Sequence, residues 1–406
     1  MVSTPVTSRT SPSARIRSSI QALQPQLVEW RRYLHQRPEL GFREHLTAAF
    51  IIQKLQEWGI PYQAGVAQTG IVAVVESHQP GPVLAIRADM DALPIQEENE
   101  VPYKSRHDGQ MHACGHDGHV TIALGTACYL AQHRDSFTGT VKFIFQPAEE
   151  GPGGAKPMIQ AGALSHPDVD GIIGLHLWNN LPLGTVGVRS GALMAAVELF
   201  DCTIQGRGGH GAIPQQTVDS IVVGAQVVNA LQTIVARNVD PLEAAVVTVG
   251  TFHAGTANNV IAASAHLSGT VRYFSPQYEG FFKQRMEEVI RGICQAHGAS
   301  YELDYRSLYP PVINDERMAT LVRSVAENVI ETPAGIVPRC QTMGGEDMSF
   351  FLQEVPGCYF FLGSANLSRG LDFPHHHPRF DFDESVLSTG VEIFVRCVEK
   401  FCGSEP

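Results

Sequence analysis

Residues 111–119 read MHACGHDGH, which gathers three histidines, a cysteine and an aspartate around two glycines. Cys114 and His116 are two apart, so in an extended segment both side chains face the same side. A thiolate and an imidazole together suit a borderline-soft divalent ion. Two other readings use the same residues: Cys114 as a nucleophile with His116 or His119 as its base, and a polar turn in which Asp117 and His119 cap a helix beginning near Val120. The Cys-x-His spacing does not choose among the three.

Other clusters offer partners. The apolar run VKFIF leads into QPAEE, where Glu149 and Glu150 are adjacent carboxylates that repel each other unless a cation is shared. In that reading one carboxylate binds the ion and the other, pointing the opposite way, handles a proton. His176 ends another apolar run, GIIGLHLW, and is read equally as a ligand or a core histidine. The segment DFPHHHPRFDFDE presents His375, His376 and His377 in a proline-bounded loop. The cluster ADMD ends the run PVLAI, and Asp91 within it reads as a turn residue before Pro94.

The elements that must position these residues follow from periodicity. Helical spacing runs from Ile20 to Gly59 through Leu27, Trp30, Leu34, Ile51, Leu55 and Trp58, broken by the turn RPELGFREH. Short apolar runs GIVAVVE, PVLAIRADMD, TVKFIFQ and GIIGLHLW predict buried strands, with helices over HVTIALGTACYLAQHR and AKPMIQAGAL between them. Alternating strand and helix predicts an α/β domain with a largely parallel central sheet and flanking helices. The polar clusters fall at the strand ends, where ligands collect in open sheets of this kind.

From 194 to 309 the order becomes strand, helix, two strands, helix, strand. This βαββαβ order predicts an inserted ferredoxin-like lid domain. Residues 20–193 and 310–406 then form the catalytic domain, closed by the amphipathic helix ESVLSTGVEIFVRCVEKFC. Residues 1–19 carry Arg and Ser without acidic residues and read as a disordered tail, the other reading being an organelle transit peptide.

A formal charge of −12 without a basic run argues against a nucleic-acid partner. Eight scattered cysteines fit reduced thiols, so a cytoplasmic location is expected. No apolar run approaches the ~18 residues of a membrane span, and no membrane partner is expected.

ADMDALP, MHACGHD, FQPAEEG, GLHLW and HHPRFDFDE, in this order and spacing, resemble the metal-dependent amidohydrolases that include hippurate hydrolases, N-acyl-amino-acid amidohydrolases and plant auxin-conjugate hydrolases. The resemblance runs from RRYLHQRPELGFREH to the closing helix. It implies a centre of two divalent metal ions (Mn, Zn, Co or Ni) held by Cys114, His116, Glu150, His176 and His376, the last chosen over His375 and His377 by its place before the proline. It makes Glu149 the general base toward the attacking water and places Asp91 and Glu346 beside the ligands in support. In the lid, His210 of GRGGHGAIP would stabilise the oxyanion, while Asn259 and Arg272 would hold the substrate carboxylate. Ala262 stands where the family usually has proline.

The activity so implied is hydrolysis of a small-molecule N-acyl amino acid to a carboxylic acid and a free amino acid. The lid would hinge near Met194 and Tyr309 and form a homodimer contact. The rivals are a dipeptidase or carboxypeptidase of the same superfamily, a cysteine hydrolase, and a non-catalytic metal-binding protein on this fold.

Overall fold

The computed structural model describes residues 12–330 and 335–403. Two compact units emerge. One comprises the described residues of Met1–Gly191, Asn314–Cys340 and Phe350–Pro406, the other Ala192–Ile313 and Gln341–Ser349.

The first unit carries strands β1 (Tyr62–Val66), β2 (Gly70–Glu76), β3 (Val83–Asp89), β4 (Thr140–Gln146), β5 (Gly171–Pro182), β6 (Val186–Gly187), β15 (Ile336–Val337) and β16 (Gly357–Ala365). They form one eight-stranded sheet in the order β1-β2-β4-β3-β5-β16-β6-β15. The central strands β4, β3, β5 and β16 run parallel, as the apolar runs predict. The flanks depart from that pattern: β1 with β2, β2 with β4, and β16 with β6 are antiparallel. All seven residues of β3 are buried, as expected of a strand covered on both faces.

Helices α1 (Pro12–Ala22), α2 (Gln24–His35), α3 (His45–Glu57), α4 (His116–Gln132), α5 (Ala155–Gln160), α8 (Glu316–Ile330) and α10 (Val386–Phe401) belong to this unit, as does α9 (Met348–Glu354) from Phe350 onward. Two expectations need correction. The stretch 1–19, read as a tail, is helical from Pro12, with Arg17 paired to Glu392 at 3.1 Å; residues 1–11 lie outside the described residues. Helix α4 starts at His116 rather than near Val120, because Gly115 adopts φ 93° and turns the chain directly into the helix.

The second unit is built from β8 (Ala196–Gln205), α6 (Ser220–Asn238), β10 (Ala245–Ala254), β12 (Ser264–Tyr273), α7 (Phe281–His297) and β13 (Ser300–Tyr309). Its antiparallel order β10-β12-β8-β13 is the ferredoxin-like arrangement predicted from the βαββαβ pattern. Phe200, Leu267 and Val271 of the sheet pack with Val227, Leu231, Phe282 and Ile290 of the helices. A small ribbon pairs β9 (Gly209–His210) with β11 (Val260–Ile261). Short strands β7 (Gly191–Met194) and β14 (Val312–Asn314) fall where the chain passes between units.

Residues 341–349, assigned by sequence to the catalytic domain, belong to this second unit. Against the expectation of no membrane-length run, α6 is long and apolar enough to span a bilayer by length and composition. Core helices meet the same criterion, and Val223, Val227, Leu231 and Ile234 of α6 lie in the core of this unit.

Candidate metal centre

Cys114 sits in the bend before Gly115, and His116 is the first residue of α4. Their convergence therefore comes from the left-handed turn between them, not from an extended strand. The Cys114 Sγ lies 3.4 Å from Nε2 of His176, which sits in the middle of β5 and not at the strand end expected from GLHLW. His176 Nδ1 donates to the Leu177 carbonyl at 2.7 Å, which leaves the Nε2 lone pair facing the sulfur. His116 Nδ1 likewise donates to the Asp91 carbonyl at 2.9 Å, leaving Nε2 to accept; that atom is buried with no hydrogen-bond partner.

The PAEE turn closes a second side. Ala148 adopts φ 54°, and its N–H donates to Glu44 Oε1 at 2.9 Å. The next two amides donate to Asp91, Glu149 N to Oδ1 at 2.9 Å and Glu150 N to Oδ2 at 3.0 Å. Glu149 and Glu150 were expected to point opposite ways as strand residues. Held in a turn instead, both bring a carboxylate oxygen within 4.8 Å of a His116 ring nitrogen.

Among the three loop histidines only His376 reaches this cluster. Its Nε2 is 3.1 Å from Glu150 Oε1, its backbone sits at φ 65°, and its N–H donates to the Ala113 carbonyl at 2.8 Å. His375 donates from Nε2 to the Leu177 carbonyl and packs on Trp178; burial lowers its pKa to about 4. His377 accepts the Arg379 N–H at Nδ1 and stacks on Phe373.

The donor atoms of Cys114, His116 and His176 lie within 4.8 Å of one another, as do those of Cys114, Glu150 and His376. Asp89, His116 and His119 are equally close, but His119 has no lone pair to give: its Nε2 accepts the Leu177 N–H and its Nδ1 donates to Asp89 at 2.6 Å. His119 is a brace between β3, α4 and β5.

Electrostatics favour a cation here. Burial raises the Cys114 thiol pKa well above its ordinary range, and Glu150 and Glu149 add to the rise. That environment opposes a free thiolate, so Cys114 is poorly placed as a nucleophile. Burial alone would lower the His116 pKa, yet Asp89, Asp91 and Glu150 push it up to about 10; without a metal the ring holds a second proton, and the same anionic surroundings favour a metal cation in its place. An anionic surplus, a thiol, imidazoles with inward lone pairs and the orphaned His116 Nε2 together form a donor set that fits divalent metal ions.

The Asp91 carboxylate accepts from both amides of the PAEE turn, and the Asp91 carbonyl accepts from the His116 ring. The remaining assigned residues lie in the second unit. His210 pairs with Val260 across the β9–β11 ribbon, the neighbouring Asn259 carbonyl accepts the Gly211 N–H, and Arg272 is a half-buried residue of β12 whose pKa burial lowers. Glu346 is buried and accepts the Met348 N–H at the start of α9.

Sequence reasoning missed the supports. Asp89 ends β3, bonded to His119 and to Arg87. Glu44 accepts from Phe42, Thr69 and Ala148 and so ties RPELGFREH, read only as a turn, to the PAEE turn. Arg31 and His35 lie on the buried face of α2 beside Leu27, Trp30 and Leu34. Two charged residues on an apolar stripe were the available signal.

A mixed α/β sheet bearing a cluster of metal-donor side chains, together with a separate ferredoxin-like unit, defines a class of two-unit hydrolases. Residues 85–400 match Peptidase family M20/M25/M40, and the chain belongs to that family. It is similar to an N-acyl-L-amino acid amidohydrolase of Geobacillus stearothermophilus, 48% identical over 74% of this chain and 80% of that protein. It is also similar to thermostable carboxypeptidase 2 of Saccharolobus solfataricus, 36% identical over 93% of this chain and 95% of the other. A solved dinuclear metal binding peptidase of Bacillus subtilis superposes with a TM-score of 0.83 at 35% identity, covering 95% of this chain and all of that one.

Proposed function

We propose that this hydrolase splits the amide of N-acyl amino acids, releasing a carboxylic acid and a free amino acid. The observation that carries the reading is the convergence of Cys114, His116, Glu150, His176 and His376 with a second carboxylate, Glu149, beside them. The amidohydrolase relative supports the substrate class.

Cys114, His116, Glu150, His176 and His376 are the ligands in this reading. Two divalent ions, Mn, Zn, Co or Ni, would supply Lewis acidity that lowers the pKa of the attacking water and polarises the amide carbonyl. Glu149 takes the proton from the water and passes it to the departing amine nitrogen. Asp91 fixes the Glu149 and Glu150 amides and the His116 ring, and Glu346 has a supporting role. The lid supplies His210 to the developing oxyanion and Asn259 with Arg272 to the substrate carboxylate, for which a planar guanidinium is suited.

Replacing Glu149 by Ala tests the assignment. The variant is expected to fold and keep its metal content while turnover of an N-acetyl or N-benzoyl amino acid falls by roughly 10²–10⁴-fold. Near-wild-type turnover with metal retained removes Glu149 from the role. The carboxypeptidase relative motivates a second reading, peptide cleavage at the same centre. Faster hydrolysis of an unacylated dipeptide than of its N-acyl amino-acid counterpart would favour it.

We place the enzyme in the cytoplasm, on the ground that all eight cysteines are buried free thiols. We also assign a homodimer contact to the lid. Its edge strand β10 exposes Val246 and Phe252, and α6 exposes Ile221 and Val222.

A further inference from the structure

Arg31 lies outside the metal-donor cluster and touches no donor side chain of it. It is fully buried in α2 and makes hydrogen-bonded ion pairs with carboxylates from two separate segments. Its Nε donates to Asp117 Oδ2 at 2.8 Å, one residue after His116. Its Nη2 donates to Asp381 Oδ1 at 2.7 Å, in the loop that carries His376, and Nη1 reaches Glu384 at 3.3 Å in the same stretch. The guanidinium therefore spans the two chain segments whose ligands face each other across the centre.

Each arm is itself held. Asp117 also bonds His35 Nδ1 at 2.8 Å, and His35 Nε2 faces Glu97 at 3.2 Å. Asp381 accepts Tyr103 Oη at 2.8 Å on its other oxygen and the Phe382 N–H on the first. The Arg31 plane lies over Phe382, 4.3 Å from the ring centroid. A planar fork can satisfy diverging carboxylates at fixed angles, whereas an ammonium cannot reproduce that geometry.

We propose that Arg31 is a positioning residue for the metal centre: it fixes the separation between the Cys114–His116 segment and the His376 loop, and so sets metal affinity and ligand geometry. The inference rests on the ligand assignment made above. Mispositioning a ligand by about an ångström weakens a preorganised site even where every ligand survives.

The test uses Co(II) as the probe and the full-length protein. Arg31→Lys is compared with wild type by Co(II) titration against a competing chelator and by the visible spectrum, whose thiolate-to-cobalt band reports Cys114. Arg17→Lys, at the Arg17–Glu392 pair, serves as the control for general loss of an ion pair. The proposal expects Arg31→Lys to weaken Co(II) binding at least tenfold and alter the spectrum, while Arg17→Lys lowers the unfolding temperature without either change. Wild-type affinity and spectrum in Arg31→Lys overturn it. If Arg31→Lys fails to fold, Asp381→Asn, which loosens only the loop arm, carries the same expectation and the same overturning result. Should Cys114→Ser and His376→Ala leave Co(II) binding untouched, the ligand assignment itself fails, an outcome distinct from an intact centre that ignores Arg31.

Discussion

Cys114 illustrates how much of a residue's chemistry is set by what surrounds it. Burial, with Glu150 and Glu149 nearby, holds its thiol protonated even though His176 Nε2 lies 3.4 Å away, so its sulfur is suited to a metal and not to attack on a carbonyl. Replacing it with Ser exchanges a soft donor for a hard, weakly acidic one. Affinity for Zn or Co should fall by one to two orders of magnitude and affinity for Mn by less, measured by competitive metal titration. The three loop histidines separate in the same assay. His376→Ala should lose one ion per chain, whereas His377→Ala, whose ring caps Arg379, should bind two with affinity within about twofold of wild type. Metal retention by His376→Ala together with loss in His377→Ala would reverse the choice.

At the scale of elements, the sequence displayed the strands and helices well because β3, β4 and β5 are apolar runs of strand length and α2 and α10 carry clear helical stripes. Of the clusters it set at strand ends, ADMD and PAEE lie there, whereas His176 sits in the middle of β5. What it hid was turn geometry. Gly115 and Ala148 both adopt positive φ, and these two residues aim Cys114, His116, Glu149 and Glu150; no periodicity reports that. The antiparallel flank β1–β2 escaped notice because YQAGV is mostly exposed and lacks an apolar run.

One close approach in this region is directly testable. A Cβ at Gly41 would lie 2.9 Å from the Ala148 Cβ and 3.0 Å from its Cα, so Gly41→Ala must displace the PAEE turn. We expect a cost of about 1–3 kcal/mol in unfolding free energy and a larger proportional fall in kcat than in metal content. An unchanged kcat would show that the turn absorbs the methyl group without moving Glu149.

Whole-molecule stability should carry the mark of the buried charges behind the centre. Burial and the neighbouring Arg31 lower the His35 pKa, but bonds to Asp117 and Glu97 outweigh them and raise it to about 9. Folding thus favours protonated His35. Its contribution is complete below the unfolded value near 6.5 and is lost as pH rises through 9. The term amounts to a few kcal/mol at most, at about 1.4 kcal/mol per pH unit. Denaturant midpoints at pH 6.5 and 9.5 should therefore differ more for wild type than for His35→Gln; equal slopes would remove His35 as the origin. For the assembly, light scattering should report twice the chain mass, and charged substitutions at Val246 and Phe252 on the β10 edge should return it to one.

The order of the ligands along the chain also bears on synthesis. Cys114, His116, Glu150 and His176 all emerge before the ferredoxin-like unit begins, whereas His376 follows it. A nascent chain therefore carries four of the five assigned ligands while the whole second unit is still being made. Any ion captured that early would meet an incomplete set of these ligands, and the set closes only once the loop carrying His376 has left the ribosome.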